Sequence, residues 1–225
     1  MKGNIAIDGP AGAGKSTVAR QVAKRLGYLY IDTGAMYRAL TWKALKSNVK
    51  VTDEAALAEL ARRTSFEFRE ASPGELAVFC DGEDVSRFIR SAEVSRLVSR
   101  VAAWPKVREE MVRLQRKLAA GGKVVMDGRD IGTCVLPEAR YKFFLTASLE
   151  ERARRRWQEL VAQGDNVPLE KVKQEIEERD RRDCQRVVAP LRPAPDAVII
   201  DTSDLTPEEV IEYIIKVVRE DRYGG

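Results

Sequence analysis

The sequence predicts an α/β fold in which about five parallel strands are flanked by helices, and three observations carry that reading. Short apolar runs alternate with segments of helical period at both ends of the chain. Two of those runs end in Asp32 and Asp127, placing carboxylates at the strand ends where α/β sheets bind ligands. The middle of the chain breaks the alternation with a period-2 pattern, so a small antiparallel insertion joins the parallel sheet.

The elements follow in order. Residues 5–8 read as a short buried strand, and 15–26 as a helix with Val18, Val22, Ala23 and Leu26 at helical spacing. Residues 29–32 form a second strand and 34–46 its helix; Asp53 opens a helix over 53–63. Phe66-Glu67-Phe68-Arg69 and Leu76-Ala77-Val78-Phe79 alternate around Ser72-Pro73-Gly74, with a further turn at Asp81-Gly82, so residues 65–90 form the insertion. Helices over 92–102 and 106–119 stop at Gly121-Gly122. Strands over 124–127, 142–146 and 198–201 alternate with helices over 149–164, 169–186 and 207–219, which start at Ser148, Pro168 and Thr206-Pro207. The tail Tyr223-Gly224-Gly225 reads as disordered.

At 225 residues the chain is long enough for one domain with a substantial core. No apolar stretch approaches the ~20 residues of a membrane span, and Lys2 leads straight into the first strand, so no signal peptide is expected. Cys80, Cys134 and Cys184 are odd in number and lack C-x-x-C spacing, which predicts neither zinc site nor disulfide and suits the cytoplasm. Histidine is absent, excluding histidine-based triads and histidine-ligated zinc enzymes. Chemistry must run on Lys, Arg, carboxylates, hydroxyls and a metal ion. Arginine outnumbers lysine 26 to 13, and its planar fork suits bidentate phosphate contacts.

Gly9-Pro10-Ala11-Gly12-Ala13-Gly14-Lys15-Ser16-Thr17 fits the phosphate-loop pattern G-x-x-x-x-G-K-[ST] between a strand and a helix. That context aims backbone N–H groups at an anion from the positive end of the helix dipole. Lys15 then reaches the terminal phosphates, and the Ser16 hydroxyl can ligate Mg²⁺. The fold is thus of the P-loop NTPase type, and a nucleoside triphosphate is its expected ligand. Val124-Val125-Met126-Asp127 has the form of a Walker B strand whose Asp127 organises Mg²⁺, directly or through water. Gly128 permits close backbone approach, and Arg129 and Asp130 emerge at the same edge. Asp32-Thr33-Gly34 opens a helix that either receives a second substrate or simply caps itself, with Arg38 just inside. Glu151-Arg152-Ala153-Arg154-Arg155-Arg156 can form a mobile lid over the phosphates. Arg179, Asp183 and Arg186 share one helix face, although pairing of Glu178 with Arg182 and of Arg179 with Asp183 explains that spacing slightly better as ordinary surface.

Taken together, these stretches resemble the bacterial cytidylate kinases, P-loop nucleoside monophosphate kinases. The likeness runs through D-T-G-A-M-Y-R at 32–38, S-R-V-A-A-W-P-K-V-R at 99–108, D-G-R-D-I-G-T at 127–133 and E-R-D-R-R-D-C-Q-R-V-V-A-P-L at 178–191. It implies a single kinase domain over 1–225, with a monophosphate-binding insertion at 63–104 and a lid at 151–167. It implies ATP on residues Gly9 to Thr17, with Arg155 near it in the lid. The monophosphate side would use Thr33, Arg38 and Arg129. Ser99, Arg108 and Asp130 would read cytosine, while Arg179, Asp183 and Arg186 engage phosphate and ribose. Asp130 can accept from the exocyclic amine of cytosine and Arg108 can donate to its ring carbonyl or the neighbouring nitrogen; uracil would face that carboxylate with an acceptor. Thr33 stands where many relatives carry Ser, and hydroxyls at both 16 and 17 leave the metal ligand open between Ser16 and Thr17. The implied reaction is transfer of the ATP γ-phosphoryl group to CMP or dCMP in pyrimidine metabolism. Lys15, Arg129, Arg155 and Arg186 would be catalytic, with Mg²⁺ as cofactor, and a monomer without nucleic-acid or membrane partner suffices. Rival readings are a P-loop kinase for shikimate, gluconate or AMP, and an ATP-dependent regulatory or RNA-binding module suggested by a pI of about 9.0.

Overall fold

A computed structural model describes residues 3–72, 75–162 and 164–223. The predicted hairpin tip at Pro73-Gly74 and the tail glycines 224 and 225 lie outside the described residues. The elements are β1 (Ile5–Asp8), α1 (Lys15–Leu26), β2 (Leu29–Asp32), α2 (Thr33–Lys46), α3 (Glu54–Arg62), β3 (Phe66–Ser72), β4 (Glu75–Cys80), β5 (Glu83–Asp84), α4 (Ala92–Val101), α5 (Pro105–Ala119), β6 (Val124–Gly128), β7 (Tyr141–Thr146), α6 (Leu149–Ala162), α7 (Leu169–Gln185), β8 (Val198–Asp201) and α8 (Pro207–Tyr223). The five-stranded sheet has the order β2-β6-β1-β7-β8, and β1 is parallel to both β6 and β7, as is β7 to β8. The three-stranded sheet β3-β4-β5 is antiparallel. The chain divides into two compact units, one of residues 1–29 and 122–225, the other of residues 30–121.

In the first unit, the central strands β1 and β6 are buried at every position, which is why they read as unbroken apolar runs. Edge strand β8 alternates instead: Ile200 is buried while Ile199 is exposed. Helix α1 buries Val18, Ala19, Val22 and Ala23, and α8 lies against it with a stripe of Val210, Ile211, Ile214, Ile215 and Val218. Helices α6 and α7 pair through Ala153, Val172 and Ile176, with Leu149, Trp157, Leu160 and Val167 around them. The register sets Asp8 level with Gly128 and Phe144, so the phosphate loop and the D-G-R-D turn leave the sheet side by side.

The second unit packs α2 against α4 and β4, and α3 against α5. Helices α2, α3 and α4 begin on side-chain caps: Asp32 accepts from Ala35 N at 2.8 Å, Asp53 from Ala56 N at 3.0 Å, and Ser91 from Val94 N at 3.4 Å. Asp32 and Asp53 are therefore caps, and Thr33 and Glu54 the first helical residues. Helix α5 opens at Pro105, one residue before the predicted start, because the ring presets φ for a first helical position. Strand β5 and a 3₁₀ turn at Phe88–Arg90 were not predicted; both are too short to carry a periodic signal. Cys80, Cys134 and Cys184 are free thiols. Among the described residues no helix is long and apolar enough to cross a membrane.

Candidate active site

The phosphate loop departs from β1 at Gly9, whose φ is +148° and whose added Cβ would lie 2.0 Å from the Leu145 carbonyl oxygen. Only glycine fits there. At the far end the first intrahelical bond of α1 runs from Val18 N to Gly14 O, so the N–H groups of Lys15, Ser16 and Thr17 project from the helix start. Lys15 is 6% exposed and donates to the Pro10 carbonyl at 2.7 Å. Burial, reinforced by Arg129 and opposed by Asp127, brings its ammonium down to about 7. Ser16 Oγ donates to Asp127 Oδ2 at 2.8 Å; Ser16 and Thr17 are both exposed at the start of α1. The Walker B reading of Asp127 thus has a direct partner in the loop.

Asp8, the last residue before the loop, is buried and accepts from two amides of the next turn: Ile131 N at 2.8 Å and Gly132 N at 2.7 Å. Those amides open a π turn at Ile131–Val135, in which Val135 N donates to Asp130 O and Leu136 N to Ile131 O. Asp8 therefore caps the turn that carries Asp130. Burial pushes its carboxyl up to about 6 against these hydrogen bonds.

Arg129 Nε donates to Asp183 Oδ2 at 3.0 Å, and Arg186 Nη1 lies 4.0 Å from Asp183 Oδ1. Asp183 is 6% exposed. Burial alone would raise its carboxyl, but Arg129, Arg179 and Arg186 together hold it below the usual range. The ordinary-surface reading of the α7 face is thus corrected for residues 179, 183 and 186, and holds for Arg182, which sits 3.6 Å from Glu178 at the surface. Arg186 Nη2 also donates to Ala189 O at 2.8 Å, fixing the chain beyond the helix. Asp130 is buried at the end of the same motif.

Arg155 donates to Thr202 Oγ1 at 3.1 Å and to Thr202 O at 2.6 Å, and Thr202 Oγ1 lies 3.5 Å from Ala13 O of the phosphate loop. Its neighbours Arg154 and Arg156 pair with Glu151 and Glu159 on their own helix.

The remaining predicted residues belong to the second unit. Thr33 is buried at the start of α2. Arg38 donates to Ser95 Oγ at 2.8 Å, and half-buried Ser99 follows one turn later on α4. Arg108 is 2% exposed, donates to Ala102 O at 3.2 Å and sets its guanidinium 5.8 Å from the Tyr37 ring centre.

Sequence reasoning missed Asp8, Ser95, Arg152, Asp180 and Thr202. An acid directly before the first loop glycine was a visible signal for Asp8. Ser95 stands one helical turn from Ser99. Asp180 continues the stripe of Val172 and Ile176, and that spacing was readable too. Thr202 left no pattern.

Among the described residues no cluster of three or more Asp, Glu, Cys or His could hold a metal ion. Ser16 and Asp127 supply two oxygen donors. That set fits Mg²⁺, which keeps water and phosphate ligands and needs few from protein.

A family model for cytidylate kinase matches residues 5–220. The chain is 58% identical over 217 residues to a cytidylate kinase of Geobacillus kaustophilus, covering 96% of each chain. It is 60% identical over 216 residues to one of Geobacillus thermodenitrificans, again 96% of each. With one of Desulfitobacterium hafniense it shares 53% over 222 residues, 98% of this chain and 95% of that one. A crystal structure of an uncharacterised protein from Eubacterium ventriosum shares the fold, with a TM-score of 0.52 and 12% identity over 98% of this chain and 99% of that one. The chain belongs to the cytidylate kinase family.

Proposed function

We propose that this chain uses ATP to phosphorylate CMP, and dCMP as well. A phosphate oxygen of CMP attacks the γ-phosphorus of ATP, the bond to the β,γ-bridging oxygen breaks, and CDP and ADP leave. The nucleophile is already anionic near neutral pH, so no general base is needed and a chain without histidine can perform the reaction. The observation that carries the reading is the Arg129, Asp183 and Arg186 network at the carboxyl edge of the sheet that also carries the Lys15 loop. Catalysis there is positioning plus charge stabilisation.

Residues Gly9 to Thr17 hold the ATP phosphates, with Lys15 on the terminal ones. Ser16 and Asp127, the latter directly or through water, would hold Mg²⁺, which would supply neutralisation of phosphate charge. Of the two hydroxyls, the bond to Asp127 favours Ser16 over Thr17. In the first unit, Arg129, Arg179, Asp183 and Arg186 take the acceptor's phosphate and ribose, Asp130 reads its base and Arg155 steadies the donor. In the second unit, Thr33 and Arg38 serve the monophosphate, and Ser99 and Arg108 the base. Residues 63–104 serve as the monophosphate-binding insertion and 151–167 as the lid.

The proposal extends to a monomer acting in the cytoplasm without nucleic-acid or membrane partner. Some surface arginines pair with an acid one helical turn away, as Arg63 does with Glu59 and Arg113 with Glu110, which offsets their charge locally and argues against a role in gripping RNA phosphates. A coupled ADP-release assay with CMP, dCMP, UMP, AMP, gluconate and shikimate tests the reading, alongside an RNA gel shift and light scattering. CMP and dCMP should lead by at least tenfold in kcat/KM. A lead by another acceptor, or a salt-sensitive RNA shift without turnover, overturns it.

A further inference from the structure

The phosphate loop is held at its tip by two residues that neither the motif nor the mechanism uses. The N–H of Ala11 donates to Asp180 Oδ1 at 3.4 Å, and the Ala11 carbonyl accepts from Arg152 Nη1 at 3.1 Å. Arg152 and Asp180 are themselves paired, and Arg152 Nε donates to Ala147 O at 3.0 Å. Arg152 is 8% exposed in the first turn of α6. The loop is pressed onto that turn: Gly12 has φ +77°, and a Cβ there would lie 3.0 Å from both Arg152 Cβ and Arg152 O. Asp180 reaches the loop from α7, whose Val172 and Ile176 pack on α6 through Ala153.

We infer that Arg152 and Asp180 are positioning residues for ATP, a charge-cancelling clamp on the phosphate loop. The inference rests on the ATP site proposed above. Asp180 gives Ala11 N–H an acceptor, but a carboxylate against a loop that receives a polyphosphate repels it. Arg152 cancels that charge and fixes the Ala11 carbonyl through the same nitrogen. The start of the arginine-rich helix is therefore a strut for the loop, with Arg152 tied to Ala11, Ala147 and Asp180.

Charge cancellation predicts opposite signs for the two single substitutions. Arg152→Met leaves the Asp180 anion uncompensated and should weaken ATP binding roughly ten- to hundredfold, with the KM for CMP unchanged. Asp180→Asn keeps an acceptor and leaves a cation near the phosphates, so ATP affinity should hold within about threefold or improve. The double variant Arg152→Met/Asp180→Asn should regain most of what Arg152→Met loses. A merely structural contact would weaken ATP binding in both single variants, in proportion to their loss of Tm.

The test is equilibrium ATP binding by calorimetry, with thermal melts of each variant and kcat and KM for both substrates. Weaker ATP binding in Asp180→Asn by tenfold, or a double variant no better than Arg152→Met, overturns the clamp. Should Arg152→Met not fold, Asp180→Asn decides: it should bind ATP within about threefold of the wild type or more tightly, and a tenfold loss overturns the inference. Wild-type ATP binding without CMP turnover would count against the proposed function and leave the clamp still measurable.

Discussion

The two compact units differ in what they bury. Among the described residues the first unit buries Asp8, Lys15, Asp127, Asp130, Lys142, Arg152 and Asp183, whereas the second buries one charged residue, Arg108. Buried charge is expensive unless it is paired and hydrogen-bonded. The first unit meets that cost with a network: Ser16 on Asp127, two backbone amides on Asp8, Arg129 on Asp183, and Arg152 between Asp180 and the loop. The second unit meets it with a carbonyl and an aromatic face. A unit organised around polyanions must fix many charges before its ligand arrives. The second unit, whose proposed roles are Thr33 and Arg38 on the monophosphate and Ser99 and Arg108 on the base, buries few.

The largest test of that contrast is removal of a charge the network keeps for the reaction. Lys15→Ala and Arg186→Ala should each lower kcat roughly a hundred- to thousandfold at saturating CMP and ATP, with Tm little changed. Near-normal turnover in both variants would break the comparison, because the buried charges of the first unit would then serve folding alone.

Asp8 provides the next largest effect, and its sign is unusual. Most native carboxylates are held low, but burial raises Asp8 from 3.8 to about 6. Between those values the folded state binds a proton that the unfolded chain does not, so stability from this group rises as pH falls through 6 toward 4. The wild type should therefore gain roughly 2–3 kcal/mol on Asp8→Asn between pH 7 and pH 4, measured by urea unfolding. The groups acting on Asp8, namely Asp130, Lys15 and the amides of Ile131 and Gly132, are retained in the variant. A pH-independent difference would show that the two amides outweigh burial.

Much of this arrangement could be read from local pattern. The strand, glycine loop and helix of residues 5–26 were legible because each step is local: an unbroken apolar run, a loop demanding glycine, and helical spacing. Asp127 was legible for the same reason, as a strand-end carboxylate. The π turn after Asp130 was not, because its shape depends on Asp8, more than a hundred residues away in sequence. The inward face of α7 was ambiguous: Arg179 and Asp183 are spaced equally well for a surface pair, and only burial beside Arg129 decides. Arg152 was grouped with the lid arginines because composition cannot separate a buried guanidinium from exposed neighbours such as Arg154.

Base recognition gives a smaller effect that sharpens the contrast from both sides. Asp130→Asn should lower the preference for CMP over UMP by about tenfold in kcat/KM, because an amide can donate to the carbonyl that uracil presents. Arg108→Met should raise the KM for CMP with less change in the KM for ATP. An unchanged CMP-to-UMP ratio in Asp130→Asn would remove that carboxylate from base reading and assign it to the loop's charge network.

The smallest expected effect comes from a surface feature of the first unit that lies outside its network. Thr206 and Glu209 form a reciprocal cap at the start of α8, with Glu209 accepting from Thr206 N at 2.8 Å and Thr206 Oγ1 accepting from Glu209 N at 3.3 Å. Thr206→Ala should cost about 1 kcal/mol and lower Tm by a few degrees, through lost helix-end hydrogen bonds. Neither substrate's KM should move, since α8 supports α1 through apolar packing and the ion pairs of Arg25 with Glu208 and Glu212, and carries none of the proposed site residues. A rise in the KM for ATP would mean that the phosphate loop is held by the packing of α8 on α1 as well as by charge, and the difference between the units would then lie partly in packing.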